Sequence, residues 1–221
     1  MMGKKVVIFG SGAIAQIANY YFEIDSEHEI VAFTVNEEFI DGNTFEGKPV
    51  VAFEKVFEVY PPEDYDMFIA MSYANMNRSR EHIFHAAKEK GYSLLSYISS
   101  KCSYMSQYPP GENAFIFEDN TIQPFVKIGD NVTLWSGNHI GHHSTIDSHN
   151  FISSHVVISG HCHIKSNCFI GVNSTLAHKL TMAAGTLLGA AVTMSKDSEE
   201  NGVYVSARPT KINKTSDQIE L

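Results

Sequence analysis

A six-residue repeat of aliphatic side chains runs through the second half of this 221-residue chain. Isoleucine, leucine or methionine occupies fourteen successive positions of one phase. The positions are Ile116, Ile122, Ile128, Leu134, Ile140, Ile146, Ile152, Ile158, Ile164, Ile170, Leu176, Met182, Leu188 and Met194. If about half of all residues are apolar, the chance odds of such a run are on the order of one in ten thousand. A period of six fits neither a helix nor a simple alternating strand, and it predicts a hexapeptide β-helix.

The residues around each aliphatic position indicate which β-helix this is. The hexapeptides 127–132, 133–138, 139–144, 157–162 and 169–174 share an aliphatic second place, often glycine or a small residue next, and often a small sixth residue. This pattern resembles the left-handed parallel β-helix of hexapeptide acyltransferases. In that fold three hexapeptides form one triangular coil, so residues 18 apart stack about 4.8 Å from each other. The resemblance implies a homotrimer that binds acyl-CoA between neighbouring subunits.

Composition excludes several classes of function. The net charge of −9 and the pI near 5.6 argue against nonspecific binding to nucleic acid or to an anionic membrane. The three cysteines are an odd number and do not form a disulfide framework. Cys162 and Cys168 occupy the small sixth place of their hexapeptides, where a reduced packing role is expected. Reduced cysteines fit a cytoplasmic location. Because no apolar run reaches 18 residues, we expect no membrane span.

The first hundred residues predict a small α/β unit with a parallel sheet, followed by the left-handed β-helix. Strands are expected over 6–9, 30–35, 67–71 and 94–98, and helices over 13–22 and 78–90. The second helix has Asn77 as its candidate N-cap and Gly91 at its end. We therefore expect an α/β domain over residues 1–100, the β-helix over 101–198 and a C-terminal tail over 199–221.

The motif Gly10-Ser11-Gly12-Ala13 follows the first strand and opens the first helix. Glycines in such a turn allow a pyrophosphate to approach a helix N-terminus. A dinucleotide-binding site would have an acidic residue at the end of the second strand, but Asn36 follows that strand here. Three interpretations remain open: NAD binding, a purely structural turn, and binding of a nucleotide-linked substrate.

Nearly the whole chain resembles bacterial sugar acyltransferases, the group that includes the bacillosamine-pathway N-acetyltransferases and the sialic acid O-acetyltransferase-like proteins. The motifs that carry the resemblance lie at residues 8–12, 65–71, 169–174, 202–205 and 209–211. The resemblance implies that the N-terminal unit binds a nucleotide-linked amino sugar. The implied substrate-binding residues are Gly10, Ser11, Gly12, Ala13, Asn36, Ser72, Tyr73 and Asn75.

The resemblance also implies a catalytic histidine at the fourth place of a hexapeptide, which is His142 here. A histidine titrating near neutrality can take the proton of an attacking amine. Gly160 lies one coil further on, where the backbone N–H of the family binds the thioester oxygen. The carboxylate that usually follows the base is replaced by His143, and the partner that orients the imidazole stays open. The implied CoA-binding residues are Gly160, Ala190, Arg208 and Lys211.

Most of the eleven histidines have a simpler interpretation. His143, His149, His155 and His161 occupy the fifth place of four consecutive hexapeptides, which predicts solvated corners, and His143 should stack on His161. No metal site is expected. The sequence thus predicts an acetyl-CoA-dependent N-acetyltransferase of a nucleoside-diphosphate-linked amino deoxysugar, used in lipopolysaccharide or glycan biosynthesis. The alternatives are sugar O-acetylation and a non-catalytic β-helix that binds or scaffolds.

Overall fold

The structure is a computed structural model that describes residues 3–219. The N-terminal unit is a mixed five-stranded sheet with the strand order β3-β4-β2-β1-β5. Its strands are β1 (Lys5–Phe9), β2 (Glu29–Val35), β3 (Thr44–Phe45), β4 (Lys48–Ala52) and β5 (Asp66–Ile69). Strands β1, β2, β4 and β5 pair in parallel, and only the short β3 is antiparallel to its neighbour β4. The sequence interpretation placed the three long central strands correctly and missed the β3–β4 hairpin.

Helices cover both faces of this sheet. They are α1 (Ala13–Asp25), α2 (Val56–Val59) and α3 (Arg78–Glu89), with 3₁₀ turns at Glu37–Phe39, Phe53–Lys55 and Ser216–Gln218. Because successive strand residues point to opposite faces, α1 packs on the side of Val6 and Ile8, whereas α3 packs on the side of Val7 and Phe9. Helix α3 begins after Asn77 and ends before Gly91, as predicted. None of the helices in residues 3–219 has both the length and the apolarity needed to cross a bilayer.

Residues 97–204 form the predicted left-handed parallel β-helix, built from two-residue strands. Face 1 contains β6 (Tyr97–Ile98), β8 (Phe115–Ile116), β11 (Thr133–Leu134), β14 (Phe151–Ile152), β17 (Phe169–Ile170), β20 (Leu187–Leu188) and β22 (Val203–Tyr204). Face 2 contains β7 (Ser103–Tyr104), β9 (Thr121–Ile122), β12 (His139–Ile140), β15 (Val157–Ile158), β18 (Thr175–Leu176) and β21 (Thr193–Met194). Face 3 contains β10 (Lys127–Ile128), β13 (Thr145–Ile146), β16 (His163–Ile164) and β19 (Thr181–Met182).

The six-residue repeat forms the interior of these coils. Each strand pairs with the residues 18 positions along, such as Leu134 with Ile152, so one coil spans three hexapeptides. All fourteen repeat positions are at most 6% exposed. The fifth places have positive φ, for example 60° at His143 and 58° at Asn173. This left-handed backbone turns each corner, and it favours asparagine, histidine and glycine over branched residues.

The β-helix extends beyond both boundaries that the sequence suggested. Tyr97 and Ile98, predicted to end a strand of the α/β sheet, pair instead with Phe115 and Ile116 in the first coil. Val203 and Tyr204, placed in the tail, pair with face 1 at the other end. The two units share one core, because Phe22 of α1 contacts Tyr97 and Phe68 of β5 contacts Phe115.

Candidate active site

A cavity of about 780 Å³ lies at the carboxyl ends of β1, β2 and β5. This is where ligands bind in open α/β sheets. Its wall is built from the glycine turn, the end of β2, the loop after β5 and the first turns of α3. The lining residues are Phe9, Gly10, Gly12, Ala13, Ile14, Val35, Asn36, Phe39, Ala70, Met71, Ser72, Asn75, Arg78, Ser79, His82 and Ile83.

The two glycines of the turn have different physical roles. Gly10 has φ of +126°, and a Cβ there would lie 2.7 Å from the carbonyl oxygen of Ala70. That position is structural, since only glycine fits both the dihedral and the contact. A Cβ on Gly12 would meet no atom within 4 Å, and the residue lines the cavity. Absence of a side chain at Gly12 therefore leaves space for a ligand and is not required for folding.

The cavity has an electropositive rim. Gly12 is the N-cap of α1, whose first turn carries no acidic side chain, so its unpaired amides and helix dipole favour an anion. Arg78 and His82 lie one turn apart on α3 and line the opposite wall. Neither residue is among the predicted substrate-binding residues. Their spacing of four on a helix that begins just after the predicted binding loop was the available signal.

Most of the predicted substrate-binding residues meet in this cavity. Gly10, Gly12, Ala13, Asn36, Ser72 and Asn75 all line it. Ser11 is exposed beside the turn and lies outside the lining. Tyr73 also lies outside, because its ring packs against Phe151 and Phe169 on face 1 of the β-helix, with centroid distances of 5.0 and 4.6 Å. A role of Ser11 or Tyr73 in binding stays a prediction.

The predicted base lies on a corner between faces 2 and 3, named here the His142 corner. Its fourth and fifth places are Pro124 and Phe125, His142 and His143, Gly160 and His161, and His178 and Lys179. His142 and Gly160 are brought together as predicted. A Cβ on Gly160 would lie 2.9 Å from Cε1 and Nε2 of the His142 ring. The exposed imidazole thus presents Nε2 to the space that the missing side chain leaves open.

His143 is the hydrogen-bond partner of His142. Their Nδ1 atoms lie 3.0 Å apart, so one ring donates and the other accepts. If His142 is the donor, its proton sits on Nδ1 and its Nε2 is free as a base. Asp147, a possible alternative for this role, pairs instead with His163 at 2.9 Å. Of these two residues, His143 is therefore the one that contacts Nδ1 of His142.

Aromatic stacking holds the rings of this corner. His143 lies nearly parallel to His161, with centroids 4.8 Å apart and 10° between the planes, which confirms the predicted stack. Phe125 covers the other side of His143 at 4.5 Å. His142 meets His161 edge-on at 5.1 Å. Desolvation, with the neighbouring His143 and His142 second, lowers the pKa of His161, which favours its neutral ring at neutral pH.

Of the four predicted CoA-binding residues, Gly160 lies at this corner, whereas the other three lie elsewhere within one chain. Ala190 is exposed on the corner between faces 1 and 2, where its carbonyl accepts a hydrogen bond from Ser206. Arg208 and Lys211 are exposed in the C-terminal tail. Their role in CoA binding stays a prediction.

The cysteines are unsuited to nucleophilic catalysis. Cys162 and Cys168 are buried, and their thiols donate to the carbonyls of Ala177 and Ala183. Burial raises the pKa of Cys168 to about 11 and also raises that of Cys162. Burial likewise raises the pKa of Cys102 to about 11. Since the thiolate is the reactive form, none of the three is activated at neutral pH.

A different corner anchors the N-terminal unit, and we name it the His149 corner. It lies between faces 3 and 1, and its residues are Asp130, Asn131, Ser148, His149, Ser166 and Asn167. Arg80 of α3 is 1% exposed and donates to the carbonyls of Asn131 and Asn150. Asn77, the N-cap of α3, donates to the carbonyl of Cys168. The domain that carries the cavity is thus fixed to one corner, and the candidate base stands on another.

Comparison with known proteins agrees with this architecture. The family model for the bacterial transferase hexapeptide (six repeats) matches residues 125–160. The chain has the hexapeptide-transferase fold. It matches no curated protein by sequence. The acetyltransferase domain of PglB from Neisseria gonorrhoeae FA1090 superimposes with a TM-score of 0.80 at 19% identity, covering 92% of this chain and 97% of that one.

Two further solved structures show the same two-part fold. One is a mutant of perosamine N-acetyltransferase from Caulobacter crescentus in complex with CoA and GDP-perosamine, with a TM-score of 0.79 and 19% identity over 93% of this chain and 95% of that one. The other is WeeI from Acinetobacter baumannii AYE, with a TM-score of 0.77 and 16% identity over 92% and 97%. The PglB domain also has a structure in complex with acetyl coenzyme A. The predicted resemblance is confirmed at the level of the fold.

Proposed function

We propose that this protein is an acetyl-CoA-dependent N-acetyltransferase that acts on the amino group of a nucleoside-diphosphate-linked amino deoxysugar. The observation that carries the proposal is the pairing of His142 Nε2 with the open position at Gly160. Acyl transfer to an amine needs a base that accepts the amine proton and a donor that binds the developing oxyanion. His142 and the backbone amide of Gly160 can supply these two groups, and the space beside them is open. The complexes of structurally similar proteins with acetyl coenzyme A, and with CoA and GDP-perosamine, support the choice of substrates.

The cavity supports the choice of a sugar nucleotide as the acceptor substrate. Its wide, largely apolar wall accommodates a nucleoside, and the positive end of α1 together with Arg78 suits the diphosphate. Asn36, and not an acidic residue, lines the cavity at the end of β2, which disfavours the ribose contact of a dinucleotide cofactor. We therefore assign the glycine turn to substrate binding.

The reaction proceeds by direct attack. The neutral amine attacks the thioester carbonyl, and His142 Nε2 accepts the proton that the new amide nitrogen must lose. The Gly160 N–H makes no hydrogen bond within residues 3–219 and is free to bind the developing oxyanion. Collapse of the tetrahedral intermediate re-forms the carbonyl and expels the CoA thiolate, which takes up a proton. The raised pKa values of the cysteine thiols disfavour an acyl-enzyme.

The catalytic site is shared between subunits of a homotrimer in this proposal. The N-terminal unit is anchored at the His149 corner through Arg80, whereas His142 stands on the corner between faces 2 and 3. A neighbouring chain can bring its own cavity to that base. Sedimentation should give about three times the 24.6 kDa chain mass, and a stable, active monomer would contradict the arrangement.

Subunit mixing tests the shared site directly. Gly12→Val fills the cavity and His142→Asn removes the base, so each variant alone should be inactive. Mixed trimers should recover up to about a quarter of the wild-type activity if cavity and base come from different chains. A mixture as inactive as the single variants would place both halves of the site in one chain.

Mass spectrometry of reaction products identifies the substrate. We expect a 42-Da acetyl gain, about the mass of one acetyl group, on one member of a panel of UDP-, dTDP- and GDP-linked amino sugars. Acetylation of the matched hydroxy sugar instead would make the protein an O-acetyltransferase. No product with any donor, together with no CoA binding by calorimetry, would favour a β-helix that only binds or scaffolds.

A further inference from the structure

Three imidazoles at the His142 corner are arranged for metal binding. His142, His143 and His161 each place a ring nitrogen such that all three nitrogens lie within 4.8 Å of one another. Across residues 3–219, the contact between the Nδ1 atoms of His142 and His143 is the only hydrogen bond that these three rings make. The remaining nitrogens therefore have lone pairs or protons that face solvent and one another.

The scaffold holds these rings before any ion binds. Both His143 and His161 sit on left-handed corner residues with φ of 60° and 61°, and their rings stack between Phe125 and the edge of His178. Two ligands from one coil and one from the next are thus fixed by the same backbone that sets the repeat. Donors ordered in this way lose little entropy when they bind.

The donor set selects the class of ion. Zinc binds imidazole nitrogen at about 2.0–2.1 Å in tetrahedral sites, which places two such ligands about 3.4 Å apart. The 3.0 Å between the Nδ1 atoms of His142 and His143 is close to that spacing. A ring nitrogen of His161 lies within 4.8 Å of the other two ligand nitrogens. Neutral nitrogen ligands without a carboxylate suit zinc, copper or nickel and do not suit magnesium or calcium.

We propose that His142, His143 and His161 form a binding site for a divalent transition metal of the zinc class, and that the metal switches off the base. An imidazole that binds an ion through Nδ1 carries its proton on Nε2. Nε2 of His142 faces Gly160 and the acyl site, so it can no longer accept the amine proton. Metal binding at this site does not depend on the proposed function, whereas the effect of the metal on turnover rests on it.

A second cluster of ligand-type residues provides the contrast. Glu81, His85 and His149 also bring ligand atoms within 4.8 Å. Here the backbone N–H of Ile69 fixes the amide of Asn113, which donates to Asn131, which in turn donates to Nδ1 of His149. The proton of His149 must therefore sit on Nε2, which points at Glu81 at 3.6 Å. That nitrogen is not available to a metal.

Calorimetric titration of zinc chloride into tag-free, metal-stripped protein tests the site. We expect one ion per chain with a Kd on the order of micromolar. His161→Asn should weaken binding at least about tenfold. Asparagine suits the backbone at position 161, since Asn167 and Asn173 occupy the fifth place of other hexapeptides with similar φ. His143→Phe repeats the side chain that Phe125 already places in the same stack, and it should weaken binding to a similar extent. His85→Gln in the second cluster should leave the affinity unchanged.

Two results would overturn the proposal. The first is binding weaker than about 100 μM, or equal binding by wild type and His161→Asn while thermal unfolding shows both folded. The second concerns the switch: acetyl transfer should fall in proportion to zinc occupancy and return with EDTA. Full activity at saturating zinc would refute the switch. If the protein does not catalyse acetyl transfer at all, the proposed function fails, and the calorimetric titration still decides whether the site binds the metal.

Discussion

Two corners of the same β-helix use histidine at the same place of the repeat and with the same backbone, yet their environments are opposite. His143 and His161 at the His142 corner and His149 at the His149 corner all occupy fifth places, with φ between 60° and 64°. His149 is only 7% exposed, because α3 covers it. His143 and His161 are exposed. The sequence pattern is equal at the two corners, and the difference comes from what packs on them.

This comparison shows how a repeat protein separates scaffold from chemistry. At the His149 corner both ring nitrogens are engaged, by Asn131 and by Glu81, and the ring serves as part of a polar contact between domains. At the His142 corner the three rings are exposed, and among residues 3–219 their one hydrogen bond joins the Nδ1 atoms of His142 and His143. The repeat fixes the backbone at both places, and tertiary packing decides which histidines can react.

The largest effect should come from removing the proposed base. His142→Asn should lower kcat by roughly 10²–10⁴-fold, the usual contribution of a general base, without a change in the oligomeric state. His155→Asn is the matched control, because His155 is an exposed corner histidine with φ of 57° on a different corner. Steady-state acetylation assays compare the two. A similar loss in both variants, or near wild-type turnover by His142→Asn, would end the distinction between corners.

The β-helix could be predicted because its code is local. Each hexapeptide carries its own buried aliphatic residue and its own corner, so the phase of the repeat fixes the coil and the residues 18 apart. The 18-residue spacing between neighbouring coils places His142 beside Gly160 and stacks His143 on His161. The glycine turn with its strand and helix is equally local.

The contacts between the two units could not be read in this way. Arg80 lies on a polar helix whose sequence looks solvent-exposed, but it is buried against carbonyls that are 51 and 70 positions away. Tyr97 could belong to either unit by its pattern, and its pairing with Phe115 decides for the β-helix. Such positions depend on tertiary packing, which overrides local propensity.

Arg80 tests whether the packed corner is structural. Its guanidinium is fully buried and has no carboxylate partner among residues 3–219, and desolvation lowers its pKa to about 9. Arg80→Ala leaves buried carbonyls without donors and opens a cavity, so we expect a loss of roughly 2–4 kcal/mol in the free energy of unfolding. Arg78→Ala, on the same helix but exposed, should change stability by less than about 0.5 kcal/mol. Equal stabilities in urea titrations would show that the His149 corner does not anchor the N-terminal unit.

Gly160 probes the open corner from the opposite direction. A Cβ there would approach His142 Nε2 and Cε1 to 2.9 Å, so Gly160→Val should displace the ring and fill the space for the thioester. We expect about tenfold lower turnover and weaker CoA binding. Because the Cβ would also lie 3.2 Å from the backbone carbonyl oxygen of His142, thermal unfolding of the variant is the control for folding. Calorimetry with CoA measures the binding. Normal affinity together with normal turnover would place the acyl group elsewhere and remove the support for His142.

The smallest expected effect is a pH dependence confined to the packed corner. Desolvation lowers the pKa of His149 below its usual value of 6.5; His85 and Arg80 also lower it, while Glu81 and Asp130 oppose the shift. The unfolded chain then binds a proton that the folded chain resists, so this residue contributes stability above about pH 6.5 that is lost as pH falls below it. His149→Asn should flatten the decline of melting temperature between about pH 6.5 and pH 5, and asparagine suits the backbone, as at Asn131 and Asn167. His155→Asn, the same substitution at an exposed corner, is the matched control for the exchange of side chain. An undiminished decline in His149→Asn would mean that this ring is no more constrained than the exposed histidines, and the contrast between the two corners would then rest on geometry alone.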